Sequence, residues 1–257
     1  FLDRTTVMLS EGIDPVYVFD GRPHELKMET LKGRKGRKQE AVTRWEAAVE
    51  AGDMPAAKKL GPQTAEYTPE MVAETKQLFE LLGVTWVEAP MEAEGAAAVR
   101  CARGEVGAVA SQDWDTLLYG APVMVRNLTS HGTRRFGRVL QAEKVVLADT
   151  LAKHDITHEQ LVGLAIMIGT DFHPGIKGIG PKTGLKLICE HGTLEAVAEA
   201  REFEVPERLD EIRSLFLEHP TTGEPLPQST HAVEEDLRDF LQKERGFSER
   251  RVQRALD

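Results

Sequence analysis

Three short apolar runs, each closed by carboxylates, constrain this chain more than any other feature. Val16-Tyr17-Val18-Phe19 ends at Asp20-Gly21, and Val84-Thr85-Trp86-Val87 ends at Glu88. The run 106–110 leads into Ser111-Gln112-Asp113-Trp114-Asp115. Unbroken apolar runs of this length suit strands buried on both faces. A fourth candidate covers 122–126. Helical patterns lie between them: 2–10, 45–51, 69–82, and an alanine-rich stretch from Pro90 to about Arg103. Gly33 and Gly36 are read as interrupting any helix over 22–44, and Gly61-Pro62 as a break further on. Strands alternating with helices predict an α/β fold with a mostly parallel central sheet flanked by helices. From about residue 143 the pattern turns helical, with segments near 157–168, 181–191, 193–201, 207–218 and 233–256. The expected division is a core over 1–149 and a helical region over 150–257.

In parallel α/β sheets, functional groups gather beyond the carboxyl ends of the strands. Asp20, Glu88, Asp113 and Asp115 all fall there. Unit charges ~4 Å apart repel by several kcal/mol at a modest effective dielectric, and protonation or cations relieve the repulsion. Oxygen ligands without His or Cys select hard ions, so Mg²⁺ or Mn²⁺ is expected. Two such ions can serve both the attacking and the leaving oxygen of phosphodiester hydrolysis. Glu92 and Glu94 point about 200° apart on a regular helix. At a helix start one can face the core while the other reaches over the first turn. The plainer reading is that such acids only offset the helix dipole, but that does not explain acids recurring at three strand ends.

A second motif lies at 173–188, HPGIKGIGPKTGLKLI. Gly175 and Gly180 have P-loop spacing, but Pro181 separates Gly180 from Lys182 and a helix, not a strand, precedes the loop. A helix–hairpin–helix over about 157–191 fits better, turning at Gly178-Ile179-Gly180, with Pro181 opening the second helix. Free amides at that start form a phosphate site, and Lys182 and Lys186 add charge without reading sequence. Asp171 precedes the loop, where it can reach back to the acids.

The balance of charge is acidic, with 42 Asp+Glu against 32 Lys+Arg and a net −10. That argues against a wholly basic nucleic-acid coat while allowing local patches. One patch is 22–44, where eight cations face only Glu25, Glu29 and Glu40. Lys27 and Arg34, seven apart, would share one face of a helix. Cys101 and Cys189 stand in no metal-type spacing and are read as reduced, buried thiols of an intracellular protein. No apolar run suits a membrane span. His154 and His158 are read as surface residues, and Trp114 as core packing.

Together, V-F-D-G (18–21), E-A-P-M-E-A-E (88–94), S-Q-D-W-D (111–115) and I-G-T-D-F-H-P-G-I-K-G-I-G-P-K (168–182) resemble the flap endonuclease family of structure-specific 5′ nucleases, archaeal and eukaryotic branch. The resemblance implies a PIN-like 5′ nuclease fold with a helical arch near 22–70. It also implies 5′ flap endonuclease and 5′–3′ exonuclease action in DNA replication and repair. The family's metal acids fall on Asp20, Glu92, Glu94, Asp113, Asp115 and Asp171, which drops Glu88. Its basic gateway residues fall on Lys27 and Arg34. Two Mg²⁺ ions, replaceable by Mn²⁺, are implied, with K⁺ on the backbone of Gly175, Ile176 and Ile179. Branched DNA with a 5′ flap is the implied partner of a monomer, in cytoplasm or nucleoid if archaeal and in the nucleus if eukaryotic. The family also carries an earlier strand with a further metal-ligand Asp, and a C-terminal tail that binds a sliding clamp. Neither is matched here, so the chain is expected to be an internal fragment. The alternatives are a sister exonuclease or a junction or nick nuclease, and a non-catalytic DNA-junction binder.

Overall fold

The computed structural model describes residues 1–135, 137–221 and 223–256. Helix α1 (Leu2–Ser10) buries Leu2, Thr5 and Met8, and leads to strand β1 (Tyr17–Phe19). Helix α2 (Met28–Glu50) then runs unbroken and doubles back through Gly52 into α3 (Met54–Thr64), where Asp53 accepts the Ala56 amide. The expected breaks at Gly33, Gly36 and Gly61-Pro62 are therefore wrong. A helical glycine costs only about 1 kcal/mol, and α2 and α3 pack along each other. Pro62 sits in the last turns of α3.

Next come α4 (Pro69–Leu82), capped by Thr68 and stopped at Gly83, then β2 (Trp86–Glu88) and α5 (Ala93–Ala102). Strand β3 (Val109–Ala110), the single turn α6 (Asp115–Leu118) and β4 (Val123–Arg126) follow. A short hairpin, β5 (Arg134–Arg135) with β6 (Arg138–Val139), leads into β7 (Glu143–Val146). The remainder is helical: α7 (Leu147–His154), α8 (His158–Ile168), α9 (Pro181–His191), α10 (Leu194–Arg201), α11 (Leu209–Leu217), α12 (Glu234–Asp239) and α13 (Glu249–Leu256).

β1 pairs with β2 in parallel, Val18 opposite Val87, and β3 pairs with β4 in parallel. β7 joins β4 antiparallel, and β5 joins β6 antiparallel, so the sheet is more mixed than the sequence pattern predicts. The two parallel pairs remain separate sheets. Between them lies a trough of about 1080 Å³, lined by Val16–Val18 of one edge, Val109–Ser111 of the other, and Ala93, Glu94 and Ala97 of α5.

Among the described residues two large apolar cores, with a smaller one around Met124, hold the frame. One gathers α5, α6 and α8–α11 around Ala98, Val162, Ile166, Ile188, Ile212 and Phe216. The other packs α1, α4 and the C-terminal helices around Phe79, whose ring stacks on Tyr17 at 3.9 Å between centroids. Such a pair contributes about 0.5–1.5 kcal/mol beyond area burial. Because Phe79 anchors β1 from below, the carboxyl end of that strand is fixed in place.

Candidate functional site

β1 and β2 run in the same direction, so Phe19 lies opposite Glu88 at their carboxyl ends. The chain leaves β1 at Asp20 and turns sharply at Gly21, whose amide donates to the Met91 carbonyl at 2.7 Å. A Cβ at Gly21 would sit 1.9 Å from the Ala89 carbonyl oxygen, so only glycine fits this approach. The turn swings Asp20 over the start of α5, where its Oδ1 accepts the Ala93 amide at 2.8 Å. Glu92 is the residue before that helix and has extended backbone, while Glu94 lies in the first helical turn. The change of backbone at 92 brings the two acids to one edge.

Asp113 and Asp115 come from the turn after β3. Asp113 Oδ1 accepts the Asp115 amide at 3.1 Å, and Ser111 Oγ accepts the Asp113 amide at 3.0 Å. Asp171 arrives from the loop after α8, and its carbonyl accepts the Thr30 hydroxyl of α2 at 2.9 Å. Glu88 points elsewhere and pairs with Lys76. Thus the six acids carried over from the family resemblance come from separate elements to the carboxyl edge, and Glu88 does not join them.

Their electrostatics show mutual repulsion. Burial raises the Glu94 carboxyl, and the charges of Asp20, Asp113 and Glu92 raise it further. Burial first, then Asp113, Asp171 and Glu94, push Asp115 up to about 6, against a smaller opposing pull from Lys27. Tyr119, just behind the cluster, is raised by burial and then by Glu92, Asp115, Glu94 and Asp171. Among the described residues no three acid, histidine or cysteine side chains are gathered closely enough to hold a metal ion as they stand. An open set of carboxylates still suits Mg²⁺, which keeps several waters and takes one or two carboxylates with substrate phosphates.

Two cations reach into this edge. Lys27 ends the 3-10 turn Glu25–Lys27, and its amine contacts Glu92 and lies 3.3 Å from Asp171. Burial works to lower that amine, but the Glu92 and Asp171 charges outweigh it, so it stays above its ordinary value. Arg34, on α2, donates to Asp171 Oδ1 at 2.6 Å. Further along, Thr157 and Gln160 form a capping box that opens α8. The loop after α8 folds back through the Ile176 amide, which donates to the Met167 carbonyl at 2.7 Å, and Ile179 donates to Ile176. Gly175 and Gly178 have φ of +87° and +88°. Gly180 is extended before Pro181 opens α9, and Lys182 and Lys186 stand exposed on that helix.

With this geometry in view, known proteins are informative. A profile of the XPG I-region matches residues 83–171, and one of the XPG N-terminal domain matches residues 1–41. A protein of Ignicoccus hospitalis named flap endonuclease 1 is 40% identical over 259 residues, covering 99% of this chain and 74% of that protein. The chain belongs to the flap endonuclease family. The solved structure of flap endonuclease-1 from Methanococcus jannaschii matches at a TM-score of 0.74 and 36% identity, covering 100% of this chain and 78% of that one. The catalytic core of Rad2 in complex with DNA substrate matches at a TM-score of 0.75 and 21% identity, covering 99% and 81%, which speaks to the fold alone.

Within this flap endonuclease family member, several side chains stand where the sequence pattern does not put them. His158 is half-buried and its Nε2 approaches the Leu118 carbonyl at 2.8 Å, tying α8 to α6 rather than facing solvent. Cys189 is exposed, not buried, while Cys101 is buried. Trp114 is not core packing but 50% exposed, with the Arg126 guanidinium 4.2 Å over its ring. His219 is buried against Gly95 and edge-on to Tyr119, behind the acids, and burial lowers it to about 4. Only a structure reveals these positions, because each depends on a partner distant in sequence.

Proposed function

We propose that this chain is a Mg²⁺-dependent, structure-specific 5′ flap endonuclease acting on branched DNA. One observation carries the reading: Asp20, Glu92, Glu94, Asp113, Asp115 and Asp171 converge from four separate segments on one sheet edge, faced by Lys27 and Arg34. The raised Glu94 and Asp115 carboxyls and the oxygen-only donor set suit hard divalent ions, two of which these acids would hold. When bound, such ions supply an activated water and neutralise the phosphate oxygens. Mn²⁺ meets the same donor chemistry.

The chain's own groups do the rest. Lys27 and Arg34 sit on the helical segment that rises from the acidic edge, and each now pairs with an acid of the cluster. Beside those acids, both cations would hold the scissile phosphate and stabilise charge as it develops. A single-stranded flap passes beneath α2 and α3, and the duplex rests on α9. The amides at the start of α9, between Gly178 and Lys182, accept a phosphate, and Lys186 adds charge. The backbone carbonyls of Gly175, Ile176 and Ile179 would hold K⁺, which would add positive charge for a DNA phosphate. The trough between β1 and β3 would take a further parallel strand, and a clamp-binding tail beyond the helical region would add a protein partner. The protein works as a monomer in this scheme.

Flap, nicked and four-way-junction DNA, each 5′-labelled and offered in Mg²⁺, test the substrate. Fastest cleavage at the flap base supports this reading. Preference for the junction or nick substrate favours a sister nuclease, and binding of all three without cleavage favours a junction binder.

A further inference from the structure

The acids at the site do not account for the residue between two of them. Trp114 separates Asp113 from Asp115, yet the residue is 50% exposed at the carboxyl edge of β3. Leaving so much indole in water forfeits stability that burial would supply, at roughly 25 cal/mol per Å². The ring is also not loose. Arg126, the last residue of β4, lays its guanidinium 4.2 Å from the ring centroid. Glu143 of β7, opposite Arg126 across the ladder, holds that guanidinium from the other side at 3.6 Å. Trp114 itself begins α6, and its carbonyl accepts the Leu117 amide at 3.0 Å, so its backbone is fixed too. With one face met by Arg126, the opposite face is the one on which a planar group could stack. Because β3 and β4 are parallel, Trp114 and Arg126 both lie at the edge where the acids gather.

We propose that Trp114, braced by Arg126, is a stacking platform for a nucleobase of the DNA strand whose phosphate is held at the acids. This rests on the nuclease reading above. Trp114 is the chain neighbour of both Asp113 and Asp115, so the base it stacks belongs to a nucleotide near that phosphate. Every base has a π-face, so the contact tolerates any sequence and instead reports an unpaired, unstacked base. It therefore favours a nucleotide freed at the junction between duplex and flap over one kept in the helix.

The test uses flap DNA bound in Ca²⁺ by the full chain, by W114A and by W114F, with thermal melts confirming that each is folded. A set of flaps carries a single abasic nucleotide at each position around the junction. The expected result is that the parent loses affinity about 5- to 150-fold when one particular base is removed, the range that base–aromatic stacking spans. W114A shows that loss on intact DNA and no further loss on the abasic flap, while W114F recovers most of it. The proposal fails if W114A binds intact flap as the parent does, or if the abasic loss persists undiminished in W114A. Should that happen while the parent still cleaves flap DNA in Mg²⁺, the nuclease reading stands without it. A parent that neither binds nor cleaves flap DNA overturns both.

Discussion

Asp115→Asn is expected to stabilise the metal-free protein, and by an amount that depends on pH. In the folded chain Asp115 holds its proton up to about 6, against 3.8 in the unfolded chain. Between those values the native state binds more protons than the unfolded one. The stability that the neutral carboxyl contributes is therefore full below the unfolded value and is lost as pH rises through about 6. At 1.36 kcal/mol per unit the difference corresponds to about 3 kcal/mol. The carboxyl is only half-buried, and solvent screening cuts that to about 1–2 kcal/mol. Asparagine keeps the neutral shape at every pH. Urea unfolding in EDTA should thus show the variant equal to the parent below about pH 4 and about 1–2 kcal/mol more stable above about pH 6.5. Mg²⁺ should raise the parent's midpoint more at pH 8 than at pH 5, since its ligands must be ionised, and the variant's midpoint should rise less. A variant that is destabilised, or whose advantage is the same at pH 4 and pH 8, would refute the claim that burial and the neighbouring carboxylates disfavour a charged Asp115.

Lys27→Met should lower kcat about 100-fold or more, as loss of a charge-stabilising donor does, with little change in flap affinity; unchanged single-turnover rates would contradict its role. Lys182→Ala and Lys186→Ala should weaken duplex binding equally across sequences and each reduce the salt slope by about 1, measured as log Kd against log salt. Gly21→Ala should cost about 1–3 kcal/mol in urea unfolding as the Ala89 carbonyl is forced away, and should depress activity further by shifting Asp20.

Much of the site was legible because strand direction is a strong constraint. Apolar runs mark strands, parallel strands share a carboxyl edge, and acids just beyond them must meet. Glu88 shows the limit of that logic: it also ends a strand, yet a local lysine, Lys76, takes it. The contact between Lys27 and Glu92 spans 65 residues and has no local signal. The unbroken α2 was hidden because glycine was read as a stop, whereas packing against α3 outweighs its small cost. The β5–β6 hairpin was invisible for the opposite reason, since its arginines erase any alternating apolar pattern. Trp114, His158 and Cys189 were each misread from residue type alone. Their surroundings come from elements far away in the chain.

The most direct test of the central claim is cleavage of a 5′-labelled flap DNA by this chain, in Mg²⁺ and in Ca²⁺. A discrete product near the flap base in Mg²⁺, absent in Ca²⁺ and lost in Asp113→Asn and Asp171→Asn, is the predicted result. Binding in Ca²⁺ with no product in Mg²⁺, or a product that survives both substitutions, would contradict the assignment of these acids to catalysis by this chain.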